Sequence, residues 1–111
     1  DDSMNSDILK YENLGLQGYS LDHLSGEDQR KHQKAIRFAR LLVSEIKLYN
    51  EEQVKIGKEK ADLISRLKED IERSEVLYNQ RIADDVRANS NYFRAEMVRQ
   101  LADGDESLLG S

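Results

Sequence analysis

Two histidines, His23 and His32, are the first residues to test for metal chemistry. A di-iron carboxylate bundle takes Glu-x-x-His pairs from two helices, with further glutamates facing them. Neither histidine has a glutamate three residues before it. Asp28 and His32 share a helix face at i,i+4, but two ligands do not make a site, and the pair is expected to be a solvated cluster at a helix start. Cysteine is absent, which removes disulfides, thiolate catalysis and every Cys-ligated zinc or iron–sulfur centre. Among the carboxylates, Glu45 and Glu52 stand at heptad spacing beside apolar residues. A partly buried Glu45 would have a raised pKa, but with Lys and Arg so plentiful an ordinary ion pair is the expectation. No G-x-S-x-G, Walker or G-x-G-x-x-G motif occurs, and six scattered glycines cannot cradle a phosphate. No catalytic residue, metal ligand or cofactor site is assigned, and the expected function is not enzymatic.

A basic run remains. Arg30, Lys31, Lys34, Arg37 and Arg40 fall in 11 residues without an acid. Arg30, Lys34 and Arg37 share one helix face, with Arg40 toward its edge. Such a stripe can meet an acidic protein, nucleic acid or an anionic membrane surface. The net charge of -5 and the lack of interleaved aromatics argue against nucleic acid. The plainer reading is a solvated face balanced by Glu69, Asp70, Glu72 and Glu75.

The element that carries these groups is the apolar stretch Ala35 to Tyr49, in a chain with 35% charged residues and no proline. At 100° per residue, Ile36, Ala39, Val43 and Ile46 form one stripe, widened by Ala35, Leu42 and Tyr49. Phe38, Leu41 and Leu48 extend it further round. The face is roughly twice the usual apolar width of about 100°, so one partner helix cannot cover it. Ser25-Gly-Glu-Asp28 supplies a capping box for its start. Beyond Tyr49 the seam turns polar and then resumes at Ile64, Leu67, Ile71, Tyr78, Ile82 and Val86, with Ser74 interrupting. Glu51–Lys55, Glu69–Arg73 and Arg66–Asp70 are spaced for i,i+4 pairs.

Two architectures fit the polar stretch. Gly57 can cap the first helix in a left-handed conformation, giving an antiparallel hairpin. Alternatively one helix of about 60 residues runs through and spans roughly 90 Å at 1.5 Å per residue. The hairpin is favoured because the wide apolar face needs a neighbour. Helices are expected over 27–56, 59–88 and 91–102, with Phe93, Met97 and Leu101 on one face of the last. Residues 1–24 form a loop-like arm, either free or docked, with a short helix possible over Asp7–Asn13. Residues 25–103 form the helical domain, and 104–111 a polar tail with an apolar tag at Leu108 and Leu109.

The run Phe38 to Glu51, FARLLVSEIKLYNE, with Leu67-Lys-Glu-Asp-Ile-Glu-Arg-Ser74, Tyr78 with Arg81, and Leu101-Ala-Asp-Gly-Asp105, resembles segments of an uncharacterised bacterial family of helical, coiled-coil-like domains. The likeness covers about residues 25–110. It implies an accessory or assembly role in a bacterial intracellular setting and carries no catalytic residue.

The expectation is therefore an all-α chain, a long antiparallel hairpin plus a shorter C-terminal helix, assembling as a homodimeric bundle or docking on another protein. Phe38, Leu41, Leu42, Val43, Ile46, Leu48 and Tyr49 would form the interface with Ile64, Leu67, Ile71, Tyr78, Ile82, Phe93, Met97 and Leu101. No apolar run reaches the 18 or so residues of a membrane span, and the acidic DDSMNSD start is unlike a signal peptide. A cytoplasmic location is expected. A first residue other than Met fits a processed product or a fragment.

Overall fold

The structure, a computed structural model, describes residues 19–110. The beginning of the arm, with the short helix expected over Asp7–Asn13, lies outside the described residues. The described chain is all-helical. It comprises α1 (Gly26–Tyr49), α2 (Glu51–Lys60), α3 (Leu63–Arg66), α4 (Lys68–Arg81), α5 (Asp84–Ala88), α6 (Tyr92–Leu101) and a 3₁₀ turn at Glu106–Leu109. Its longest dimension is 48 Å. A helix of 60 residues would need roughly 90 Å, so the chain reverses.

The start of α1 follows from its sequence. The Ser25 hydroxyl accepts from the Asp28 N–H at 3.2 Å, and Glu27 and Asp28 occupy the positive end of the helix. Ala35, Ile36, Ala39, Leu42, Val43 and Ile46 are buried along one side of α1. They pack mainly against α6 and α4. Two helices therefore share the buried part of this face, and Leu41, Leu48 and Tyr49 stay outside it.

The helix expected to run to 56 ends at Tyr49. Asn50 leaves helical geometry (φ −136°, ψ 35°), and its amide donates to the Ile46 carbonyl at 2.8 Å and to Asp70 Oδ2 at 2.7 Å. An Asn side chain competes well for local backbone groups, and here it secures a bend against α4. The reversal is also displaced from Gly57. That glycine is inside α2, and a Cβ on it would lie 2.6 Å from Leu63 Cδ2. Its job is close approach, not left-handed geometry. The left-handed residue is Ala61 (φ 53°), and the Asp62 N–H closes back on the Gly57 carbonyl at 3.1 Å.

The arm expected as one helix over 59–88 is in three pieces. Leu67 (φ −107°, ψ 21°) separates α3 from α4, and Ile82 is extended between α4 and α5. The anticipated charge pairs re-sort: Arg66 binds Asp62 at 2.9 Å and Arg73 meets Asp70 at 3.4 Å. The last helix falls where its Phe93/Met97/Leu101 spacing put it, and all three are buried. The polar tail is folded: Leu109 is fully enclosed, and the 3₁₀ turn packs on α2 and α3. Gly110 passes so close that a Cβ there would sit 2.9 Å from the Ala61 carbonyl oxygen.

Candidate functional site

The residues expected to meet a partner divide by burial. Leu42, Val43, Ile46, Leu67, Ile71, Tyr78, Ile82, Phe93, Met97 and Leu101 are buried within this chain, and Phe38 and Ile64 are partly buried against them. These residues make the core of the described chain. Phe38 stacks on Tyr78 with centroids 6.3 Å apart, and the Arg81 guanidinium lies 5.2 Å over its ring. Only Leu41, Leu48 and Tyr49 of the expected interface remain exposed, at 54%, 63% and 79%. Val76 and Leu77 of α4 join them.

Leu41 and Leu48, seven residues apart, stand nearly in line along α1. Tyr49 and Leu77 share a groove of about 230 Å³ with Leu42, Glu45 and Arg73. Glu45, expected to be ion-paired or partly buried, is exposed on the rim of this groove. Asp70 also lines the groove and pairs there with Arg73 at 3.4 Å, so the lining carries two acids and one base.

A polar network lies at the α6 end. Glu96 is fully buried. Tyr19 donates to its Oε2 at 2.7 Å, Arg99 to both of its oxygens, and Gln100 to its Oε1 at 3.0 Å. Gln100 also donates to the Arg40 carbonyl and accepts from Ser44, which ties α6 to α1. Burial pushes the Glu96 carboxyl up, but the hydrogen bonds from Arg99, Tyr19 and Gln100 outweigh it and hold the group below its ordinary value. Burial and the bond to Glu96 raise the Tyr19 phenol. The sequence signal for this site was an acid on α6 with Arg99 and Gln100 three and four residues on. The partner, Tyr19, lies 77 residues away.

The histidines take no ligand-like arrangement. His32 Nδ1 is 2.6 Å from the Tyr92 hydroxyl, so it turns to α6 and not to Asp28. His23 is exposed. Among the described residues no group of three or more His, Cys, Asp or Glu is placed to hold a metal ion. In the basic stripe Arg30, Lys34 and Arg37 are exposed and Arg40 is half-buried, while Lys31 reaches Asp85 at 3.9 Å.

Tyr78 presents a different feature. Its hydroxyl is buried without a hydrogen-bond partner in good geometry. Ser90 is beside it, but the Ser90 proton goes to the Val86 carbonyl at 2.5 Å. Burial pushes the Tyr78 phenol up to about 12. A buried hydroxyl left unpaired costs about 1–3 kcal/mol.

No helix among the described residues is long and apolar enough to cross a membrane. Comparison with protein families, with curated proteins and with solved structures found no match to this chain.

Proposed function

We propose that the protein is a non-catalytic oligomerisation and docking module, and that its partner is a second copy of itself. The observation that carries this reading is the outer face of the α1–α4 pair. Every large apolar side chain exposed among the described residues, Leu41, Leu48, Tyr49, Val76 and Leu77, belongs to these two helices. Large apolar side chains left exposed on two packed helices mark an interaction site more often than exposure scattered over a whole chain does. A two-fold axis sets each patch against itself, so the exposed Leu41 and Leu48 of one copy would meet the same apolar side chains of the other. Two antiparallel pairs packed this way make a four-helix arrangement. In this reading the module serves a larger bacterial assembly, as the resemblance of its Phe38–Glu51 segment implies.

The test is the oligomeric state in solution. Sedimentation equilibrium should show a dimer at about 100 μM, a concentration that populates any complex with a Kd near or below about 10 μM. Leu41→Asp with Leu48→Asp should give a monomer whose circular dichroism is unchanged, because both side chains are exposed. Arg30→Glu with Lys34→Glu should leave the dimer intact. A wild-type monomer at that concentration sinks the proposal. If instead the basic-stripe variant alone lost an interaction with an anionic surface, the stripe would be the functional face.

A further inference from the structure

The other side of α4 holds a cleft of about 320 Å³, between α4 and α6. Ile71, Tyr78, Phe93 and Met97 give it an apolar and aromatic lining. Three acceptor-bearing residues follow at i, i+3 and i+4 along α4: Glu75, Tyr78 and Asn79. This spacing puts them on one face of the helix.

Arg87 and Arg94 reach the rim of the cleft, but both are already committed. Arg87 donates to the Ile82 carbonyl and pairs with Asp84, while Arg94 binds Glu106 at 2.8 Å. The Glu75 and Asn79 side chains have no hydrogen bond or ion pair with any described residue. Tyr78 is only 6% exposed, and its oxygen has no partner. The Ser90 proton is held by the Val86 carbonyl, so the acceptor capacity of the Tyr78 oxygen is unused. The cleft offers a carboxylate without a direct partner among the described residues and spare acceptors beside aromatic rings.

We propose that this cleft binds a small primary ammonium compound with an apolar, preferably aromatic, body. An ammonium group presents three donors and no acceptor. Glu75 and Asn79 take two of them at the rim. Tyr78, just beneath the surface, takes the third as Ser90 turns aside. The body lies on Phe93, Met97 and Ile71. A pocket of this size with few polar groups suits a ligand of this kind. The proposal is independent of dimerisation, which uses the opposite side of α4.

The experiment is a ¹H–¹⁵N NMR titration of the full chain with 2-phenylethylammonium, phenylacetate and 2-phenylethanol. The amine should give saturable shifts confined to 71–79 and 90–97, with affinity about tenfold above either analogue. Glu75→Gln, at an exposed position, should lower the amine affinity about fivefold, the effect of one solvent-exposed charge contact. It should also remove the preference over the alcohol. Tyr78→Phe, which deletes an unpaired hydroxyl and keeps the ring, should weaken the amine alone. Equal binding of the acid or the alcohol overturns the proposal. So does an unchanged affinity in Glu75→Gln, or no saturable shift by about 10 mM amine, where even a Kd near 1 mM would show.

Discussion

A carboxylate as enclosed as Glu96 is tolerated because four hydrogen bonds converge on it, from Tyr19 at 2.7 Å, Arg99 at 3.1 and 2.5 Å and Gln100 at 3.0 Å. Removing one partner of such a group costs more than an average hydrogen bond, since the rest stay desolvated. Glu96→Gln should therefore lower stability by about 2–3 kcal/mol, and Tyr19→Phe by about 1–2 kcal/mol, in urea unfolding. The pH dependence has a definite sign. The folded pKa of Glu96 lies below the unfolded value of 4.5. Its contribution is thus complete above that value and fades as pH falls through the folded pKa. Melting temperatures taken from pH 6 downward should drop more steeply for the wild type than for Glu96→Gln. Tyr19, whose folded pKa is raised, contributes below pH 10 and loses that contribution in stronger base. Tyr78→Phe should act in the opposite direction and stabilise by about 1 kcal/mol, by deleting an unsatisfied hydroxyl. The local partners Arg99 and Gln100 stand at i+3 and i+4 in the sequence, but the burial of Glu96 and its bond from Tyr19 were not readable there. Periodicity assigns a residue to a face, but it does not report which distant side chain arrives there.

At the scale of the elements, the apolar stripes were legible because burial and helical period are one signal. Ile36, Ala39, Val43 and Ile46 lie on the predicted side of α1, and Phe93, Met97 and Leu101 on that of α6. The interruptions were less so. Gly57 was a reasonable choice for a left-handed cap, yet the turn uses Ala61 and puts Gly57 under Leu63. Sequence identifies glycine as special but not which of its two freedoms, backbone angle or lack of bulk, is in use. The two positions give opposed predictions. Ala61→Gly relieves a left-handed alanine and should stabilise by up to about 1 kcal/mol. Gly57→Ala would favour the helix locally by about 1 kcal/mol, but its Cβ would meet Leu63 at 2.6 Å. Overpacking of that kind costs about 1–3 kcal/mol, so the net change in thermal unfolding should be a loss. Asn50 was read only as a polar lapse in a seam. Its bonds to Ile46 and Asp70 show that the lapse is where the first arm bends.

For the molecule as a whole, all-helical character and chain reversal were foreseeable from composition and from a face too wide for one partner. The expected thin hairpin was an underestimate. α6 and the 3₁₀ turn close the core from within, and among the described residues the large apolar side chains left exposed are Leu41, Leu48, Tyr49, Val76 and Leu77. The tail that looked like a polar end with two stray leucines instead holds the hairpin shut, with Leu109 enclosed and Gly110 against Ala61. Leu109→Ala should cost about 2–4 kcal/mol. The time order of folding follows from this placement. Gly57 and Leu63 meet across a few residues, whereas Leu109 reaches the same turn from nearly half the chain away. Contacts that must close a long loop form late, after the local ones. The lock should accordingly be absent from the transition state, and Leu109→Ala should speed unfolding while leaving the refolding rate almost untouched. A chevron plot with only its unfolding limb displaced would make the tail a governor of how long the native state lasts, with no part in how fast it is reached.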